Sequence, residues 1–244
     1  MRREPHFTAE KMLSRLGVKP GALGRIALVP GPRERAAKLR RALESPRKSL
    51  AFQDYEMHTG TLGAERVTVG NGGRYSADTA ITTELLCAGG VETLVRVGSC
   101  GSLQETVKLG DIVIATGAVR GDGASPRYVP EDFATLPHPR VVEALARAAD
   151  SLKVPVHRGR VFTTDALFRE TPELLSELEQ QRLTAIDMVT SAFLTVAQVR
   201  NARAGAVLAV SDECLTGKLG FRDPVFLDAE ERIMEIALKA VEWL

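Results

Sequence analysis

The sequence contains few of the features that mark disulfide-rich or metal-binding proteins. Its 244 residues include only three cysteines, Cys87, Cys100 and Cys214, which are widely spaced and odd in number. Such a set indicates free thiols in a reducing compartment rather than a disulfide framework. The sequence also has no CxxC or HExxH motif and only four histidines, so we expect no metal site.

Long apolar runs and an excess of one charge are also absent. No uninterrupted run approaches the roughly 18 apolar residues that a membrane-spanning helix needs, and the first residues, MRREPHFTAEKML, lack the apolar segment of a signal peptide. The formal net charge is +1, which argues against nucleic acid or a membrane surface as the main partner. We therefore expect a cytoplasmic protein that binds neither.

The pattern that is present favours one α/β domain over residues 1–244. Apolar residues make up 44% of the chain and charged residues 26%, as in ordinary globular proteins. Short apolar runs alternate with helical patterns, which predicts a mainly parallel or mixed sheet. The predicted strands are 25–30, a strand pair within 49–69 with turns at Thr59-Gly60 and Gly63-Ala64, 93–97, 112–121, 154–162, 183–186 and 205–210. The predicted helices are 77–88, 140–152, 192–202 and 227–243.

The stretch from residue 93 to residue 103, TLVRVGSCGSL, carries the first functional signal. It begins as an apolar run typical of a strand buried on both faces and then breaks into Gly-Ser-Cys-Gly-Ser. The apolar part contains Arg96, a charge that is costly to bury unless an anion meets it. Gly98 and Gly101 would let the backbone approach a ligand, and Ser99 offers a hydroxyl. This pattern predicts a pocket for a small anion, the alternative being a tight turn with Arg96 reaching solvent.

Another anion-binding signal follows the first predicted strand. Gly31 and Arg35 lie at the start of a basic helix, where the unpaired amides of the first turn attract anions. The alternative is a strand-to-helix turn followed by a basic surface helix.

Two further strand ends carry side chains that could contact a ligand. One set suits a flat ligand, and the other suits proton transfer. Leu167 and Phe168 could wall a flat ligand, although a core position is the alternative. Asp212 follows the last predicted strand and could act as a general acid or base if burial raises its pKa. The alternative for Asp212 is a helix cap or a solvated loop position, and residues 214–224 after it could form a lid.

Several motifs together resemble the nucleoside phosphorylase family of the purine nucleoside and uridine phosphorylase type. They occur in the family's order over nearly the whole chain: Val29-Pro30-Gly31 with Glu34-Arg35, the glycine loop at 70–73, Arg96-Val97-Gly98-Ser99-Cys100-Gly101, the segment KLGDIV at 108–113, Asp187-Met188, Val210-Ser211-Asp212 and the final helix IMEIALKAVE. The resemblance implies a single α/β domain with a mixed, mainly parallel, distorted barrel-like sheet flanked by helices. It also implies a homo-oligomer, expected to be a hexamer built as a trimer of dimers.

The resemblance implies a pentosyltransferase that performs reversible phosphorolysis. A nucleoside and inorganic phosphate, the co-substrate, would give a free base and ribose 1-phosphate without any cofactor. The Arg96 motif and Ser211-Asp212 are similar to the purine branch, whereas residues 119–125 are more similar to the uridine branch. The glutamine and arginine by which uridine phosphorylases read uracil would fall near Thr171 and Glu173, and neither is present. We therefore expect purine nucleosides, with uridine phosphorylase activity as the alternative.

The family's site residues carry over to positions around the three parts of the substrate. Phosphate would be bound by Gly31, Arg35, Arg96 and Ser99. Ribose would contact Met188, Asp187 and His6, the last donated by a neighbouring subunit. The base would lie beside Cys100, Gly101, Leu167 and Phe168. Asp212, assisted by Arg222, would protonate the leaving purine.

The chain departs from the family pattern at three places. Gly31-Pro32-Arg33 stands where the family has Gly-Asp-Pro, and the glycine loop before its helix is longer. The family's Glu-Met-Glu reads Asp187-Met188-Val189, and valine cannot accept a hydrogen bond from a ribose hydroxyl. Two alternatives therefore stay open: a hydrolytic nucleosidase of the same fold, against which Arg35 and Arg96 argue, and a non-catalytic nucleoside-binding relative.

Overall fold

The computed structural model describes residues 6–244 and contains a mixed β-sheet with helices packed against it. The strands are β1 (Ile26–Pro30), β2 (Glu44–Phe52), β3 (Tyr55–Leu62), β4 (Glu65–Gly70), β5 (Thr93–Ser102), β6 (Ile112–Gly121), β7 (His157–Thr164), β8 (Ala185–Asp187), β9 (Arg203–Glu213) and β10 (Lys218–Leu219). The α-helices are α1 (Ala9–Arg15), α2 (Arg33–Arg40), α3 (Ser76–Ala88), α4 (Pro139–Ser151), α5 (Pro172–Gln180), α6 (Thr190–Val199) and α7 (Pro224–Ala240).

The sheet closes on itself through one extra strand pairing. The strand order is β10-β9-β6-β7-β8-β5-β1-β4-β3-β2, and β9 also pairs in parallel with β5. Strands β5, β8, β7, β6 and β9 therefore form a closed ring, from which β1 to β4 extend as an open sheet. This arrangement confirms the predicted mixed, barrel-like sheet flanked by helices.

Two apolar clusters hold the helices on the sheet. One contains buried residues of α4 and α7, such as Leu145 and Ile233, together with residues of β6 and β9. In α4 the buried residues Val141, Leu145 and Ala148 lie on one face, because residues three or four apart in a helix share a face. The other cluster contains Phe193 of α6 and residues of α1 and α3.

Strand β5 is longer than the sequence predicted, because the Gly-Ser-Cys-Gly-Ser segment stays in the sheet up to Ser102. Its glycines do not make the tight turn that was the alternative interpretation. Gly98 has no room for a side chain, since an added Cβ would lie 2.6 Å from Cζ of Arg96. Strands β8 and β9 pair with the two edges of this segment, so its glycines serve close packing and not a change of direction.

The region 44–70 forms three strands: the predicted strand pair with its turn at Gly63-Ala64 is present as β3 and β4, but β2 was missed and the predicted turn at Thr59-Gly60 was wrong. Thr59 and Gly60 lie inside β3, and the β2–β3 connection is instead at Gln53 and Asp54. Gly60 packs against β2, since an added Cβ would lie 2.7 Å from the carbonyl oxygen of Glu44. Close approach of two strands, not a turn, is therefore what requires this glycine.

Within residues 6–244, no helix combines the length and apolar character needed to cross a membrane.

The packing of α7 leads to a first prediction. Replacing Ile233, which is 0% exposed, by alanine should lower the free energy of unfolding by about 2–5 kcal/mol, because the deletion leaves a cavity against β9. Urea denaturation followed by circular dichroism measures this loss. Leu227→Ala on the same helix, at a position 48% exposed, is the control and should change stability little. Equal losses in the two variants would contradict the assignment of Ile233 to the core.

Candidate active site

A cavity of about 310 Å³ lies where the ends of β1, β5, β8 and β9 meet. Most of the residues predicted for the site line it: Gly31, Arg35, Arg96, Ser99, Cys100, Gly101, Leu167, Asp187, Met188 and Asp212. They come from distant parts of the chain and meet only because the strands of the closed ring end at this place. The predicted pocket at the Arg96 segment therefore exists.

Arg35 lies at one end of the cavity, with its side chain buried. Its Nη1 donates to the carbonyl oxygen of Val97 at 2.9 Å, and its Nη2 donates to Oγ of Ser99 at 2.8 Å. Nη2 also donates to the carboxylate of Glu230 on α7. The Nε atom has no hydrogen-bond partner among residues 6–244, so within this part of the chain the guanidinium group retains one free donor at a position that is only 5% exposed.

Arg96 is the second buried guanidinium group of this end of the cavity. Its Nη1 donates to the carbonyl oxygen of Gly73 at 2.8 Å, and its Nη2 donates to Asp187 at 3.0 Å. The side chain of Arg96 folds over Gly98. The two residues share a face of β5, because residues two apart in a strand lie on the same face. Burial lowers the pKa of the Arg96 guanidinium, Asp187 opposes this shift, and the nearby cation of Arg35 adds to it. Like that of Arg35, the Nε atom of Arg96 has no protein partner.

Asp187 is the acceptor that keeps Arg96 in place. Its carboxylate also accepts hydrogen bonds from Oγ1 of Thr163 and Oγ1 of Thr190, and from the backbone N–H groups of Val189 and Thr190. The carboxylate thereby joins β5, β7 and the start of α6, at a side chain only 1% exposed. Because its oxygens are already engaged, the geometry supports a structural role more directly than the predicted contact with ribose, which stays a prediction.

The wall beside Asp187 is apolar. Met188 and Val189 both line the cavity, and Val189 is also buried in the core beside Phe193 and Leu194. The position at which the resemblance implied a ribose-binding glutamate therefore belongs to the packing of α6 in this chain.

Asp212 lies at the other end of the cavity, inside β9 and not beyond it as predicted. Its Oδ1 accepts a hydrogen bond from Oγ of Ser211 at 2.6 Å, and its Oδ2 accepts one from Sγ of Cys214 at 3.4 Å. The carboxylate lies against Gly101, where an added Cβ would be 2.7 Å from Oδ2. The register of β5 and β9 shifts between Cys100 and Gly101, and an irregularity of this kind can redirect a side chain at a site.

A second carboxylate, Glu170, faces the same end of the cavity and was not predicted. It lines the cavity between the short 3₁₀ turn Leu167–Arg169 and α5. Burial raises the pKa of Glu170 to about 7, and the negative charge of Asp212 adds to the shift. In the sequence, Glu170 looks like any acidic residue before a helix, and only its place two residues after Phe168 could have pointed to it.

Other residues that line the cavity or contact its lining were also missed by the sequence interpretation. Glu230 reaches Arg35 from α7, and Tyr75 and Phe221 contribute aromatic surface. An acidic residue on an amphipathic helix and aromatic residues in loops carry no sequence signal that separates them from ordinary surface positions.

Three predicted site residues lie outside the cavity. Phe168 is 97% exposed, so its ring does not lie beside the cavity as Leu167 does. His6 and Arg222 are exposed and do not line the cavity either. The roles predicted for these three residues gain no support from the chain's own cavity and stay predictions. Within the part of the chain that the structure describes, no cluster of three His, Cys, Asp or Glu side chains is arranged to hold a metal ion.

The comparison with known protein families identifies the family of the chain. The profile of the Phosphorylase superfamily matches residues 25–242. The chain belongs to the Phosphorylase superfamily. The match includes every strand of the sheet and the residues of the cavity, so the predicted family is confirmed.

Relatives within the Phosphorylase superfamily carry names of both branches. A uridine phosphorylase of Thermococcus kodakarensis is 33% identical over 226 residues, covering 87% of this chain and 82% of the relative. A "Purine nucleoside phosphorylase DeoD-type" of Jannaschia sp. is 31% identical over 238 residues, covering 94% of this chain and 99% of the relative. The crystal structure of purine nucleoside phosphorylase from Toxoplasma gondii in complex with immucillin-H superimposes with a TM-score of 0.86 and 24% identity, covering 98% of this chain and 95% of that chain. This superposition confirms the fold.

The buried ion pair supports a prediction about stability. Asp187→Asn should lower the free energy of unfolding by about 3–5 kcal/mol, because removing one partner leaves the other charge buried without compensation. Urea denaturation gives the value. Glu92→Gln, which breaks the exposed pair of Arg25 and Glu92, is the control and should change stability little. If Asp187→Asn were as stable as the control, Asp187 would not be the residue that holds Arg96.

Proposed function

We propose that the protein is a nucleoside phosphorylase, a pentosyltransferase that converts a nucleoside and inorganic phosphate into a free base and a pentose 1-phosphate, reversibly. The observation that carries the proposal is one cavity with two buried guanidinium groups, Arg35 and Arg96, at one end and the carboxyl group of Asp212 at the other. Membership of the Phosphorylase superfamily and the names of the relatives support it.

Phosphate would occupy the end formed by Arg35 and Arg96. Guanidinium groups suit phosphate because their planar donors can bind two of its oxygens, and the Nε–H of each arginine lacks a protein partner. Ser99 accepts from Arg35 through Oγ, which leaves its own O–H free to donate to the anion. Gly31 lies in the same wall, close to Gly73.

The sugar would lie between the two ends, next to Met188. Ser99 and Gly101 are two residues apart on β5, a distance of roughly 7 Å along a strand, which leaves room for a pentose ring between phosphate and base. Cleavage of the glycosidic bond leaves positive charge on the sugar. Phosphate below the ring would stabilise this charge and then form the new bond to the anomeric carbon.

The base would leave at the end formed by Asp212, Gly101 and Leu167. The departing base would gain negative charge, and Asp212 would donate a proton to it as a general acid. We favour a purine, because Ser211-Asp212 follows the purine pattern and the uracil-reading side chains are absent at Thr171 and Glu173. The relative from Thermococcus kodakarensis, named uridine phosphorylase, keeps uridine as the second candidate.

The proposed working form is a homo-oligomer, with a hexamer as the expected assembly. His6 is exposed and lies away from the cavity of its own chain, which suits a residue that completes the site of a neighbouring subunit. Inorganic phosphate would be the co-substrate, no further cofactor would be needed, and the expected setting is nucleoside salvage in the cytoplasm.

Phosphate dependence tests the proposed reaction. The purified protein should release base from inosine, adenosine or guanosine only when phosphate is added, and pentose 1-phosphate should form in equal amount; uridine is tested alongside. Chromatography of bases and sugar phosphates measures both products. Release without phosphate would point to a hydrolytic nucleosidase, and binding without turnover of any nucleoside would point to a non-catalytic relative.

The substitution Asp212→Asn tests the proposed role of Asp212 as an acid separately from phosphate binding. The variant should lose purine cleavage by about 10²–10⁴-fold, because an amide cannot donate the proton that a general acid supplies. Phosphate affinity, measured by calorimetry, should stay unchanged since Arg35 and Arg96 are untouched. Asp228→Asn, at an exposed residue of α7, is the control and should keep full activity. Full turnover by Asp212→Asn would remove Asp212 from the role of acid.

A further inference from the structure

Arg74 lines the cavity, and the proposed reaction gives it no role. It directly follows the glycine loop at 70–73 and shares the wall of the cavity with Gly31, Arg35 and Arg96. A Cβ added to Gly31 would lie 3.4 Å from Cγ of Arg74, so the stem of this side chain passes beside Gly31. Arg74 is therefore a third arginine at the end of the cavity proposed for phosphate.

The backbone before Arg74 is fixed by the same contacts that hold Arg96. The carbonyl oxygen of Gly73 accepts from Nη1 of Arg96 at 2.8 Å, and the N–H of Gly73 donates to the carbonyl oxygen of Pro30 at 3.3 Å. The N–H of Arg74 donates to Oδ2 of Asp78, in the first turn of α3, at 3.2 Å. The root of the Arg74 side chain therefore has a defined position, one residue from a contact of Arg96.

The guanidinium group of Arg74 is held loosely. Its charged partner among residues 6–244 is Asp78, whose Oδ2 lies 3.7 Å from Nε, a separation too long for a hydrogen bond. Within these residues the guanidinium group donates no hydrogen bond, and 38% of the side chain is exposed. The side chains of Arg35 and Arg96 are only 5% and 4% exposed. Arg74 thus combines a fixed root with a charge that can turn.

Asp78 stays satisfied without the guanidinium group of Arg74. Its carboxylate, 11% exposed, accepts from the backbone N–H of Arg74 and lies beside the hydroxyl of Tyr55. Burial and this carboxylate raise the pKa of Tyr55 to about 12, so the hydroxyl stays protonated and able to donate. The guanidinium group can therefore turn away without leaving a buried carboxylate unpaired.

The other groups at this end of the cavity leave a need for a further cation. Glu230 already opposes the charge of Arg35, and Asp187 opposes that of Arg96. Pro32, which also lines the cavity, has no N–H to offer an anion. An anion at this end would therefore meet little unopposed positive charge from the buried groups alone.

We propose that Arg74 is a further phosphate-binding residue, which turns its guanidinium group onto the anion bound by Arg35 and Arg96. The proposal rests on the proposed function, since it takes inorganic phosphate as the anion at this end. The planar donors of a guanidinium group can bind two phosphate oxygens. Because Arg74 is the exposed member of the three arginines, it would cover the anion on the side that faces solvent.

Arg74→Gln in the full-length protein tests this contact. The dissociation constant for inorganic phosphate, measured by calorimetry without nucleoside, should rise about tenfold, the lower range for a hydrogen bond to a charged group because Arg74 is partly exposed. The KM for phosphate should rise with it, whereas the KM for the nucleoside should stay unchanged. Arg33→Gln removes the same charge from an exposed arginine that pairs with Asp54 and does not line the cavity. This matched control should keep the phosphate affinity.

Salt gives a second readout, which a purely structural role of Arg74 would not change. Dissolved ions screen exposed charges strongly and buried ones little. Raising the salt concentration from about 0.05 M to about 0.5 M should therefore weaken phosphate binding by the unchanged protein more than by Arg74→Gln. An equal loss of affinity in the two proteins would contradict the contact.

The outcomes separate this proposal from the proposed function. An unchanged phosphate dissociation constant in Arg74→Gln would overturn the role of Arg74 and leave phosphorolysis intact. Equal weakening by Arg33→Gln would overturn it as well, because the effect would then come from net charge. Weaker phosphate binding by Arg74→Gln, in a protein that releases no base from any nucleoside, would support the contact and overturn the proposed function alone. Absence of both phosphate binding and base release in the unchanged protein would overturn both.

Discussion

The buried ion pair between Arg96 and Asp187 is the interaction on which the site depends. A guanidinium group inside the sheet is strongly unfavourable unless a carboxylate opposes it and the remaining donors find acceptors. Asp187 meets this requirement and is itself held by donors from β7 and from the start of α6. The charge for which we propose anion binding is therefore also an element of the protein's architecture, so a change at Arg96 would affect both.

Closure of the sheet sets the distance between the end of the cavity that contains Arg35 and Arg96 and the end that contains Asp212. Strand β5 carries Arg96 and Ser99, β9 carries Asp212, and the two strands are paired along their whole length. Because hydrogen-bonded strands cannot slide past each other without losing the ladder, the anion end and the acid end keep a fixed separation. The fold thus supplies the preorganisation that catalysis of bond transfer requires.

Residues with an unusual local setting could be predicted from the sequence, and others could not. Arg96 inside an apolar run and Asp212 after one are rare enough in their surroundings to indicate a site. Glu230 and Glu170 resemble ordinary exposed acids, and only tertiary packing brings them to the cavity. The glycines of β5 were interpreted as a break in the strand for a related reason. The side chain of Arg96 fills the space over Gly98, and a local sequence pattern does not reveal such packing.

The contact between Arg35 and Glu230 joins the first quarter of the chain to its last helix. Arg35 precedes most of the sheet in the order of synthesis, whereas Glu230 and the whole of α7 follow every strand of the sheet. During translation Arg35 therefore lacks its partner Glu230 until α7 has been made, after all strands of the sheet. A chain truncated before α7 would keep the hydrogen bonds of Arg35 to β5 but would lose the Glu230 carboxylate, which is the only anionic partner of Arg35 among residues 6–244.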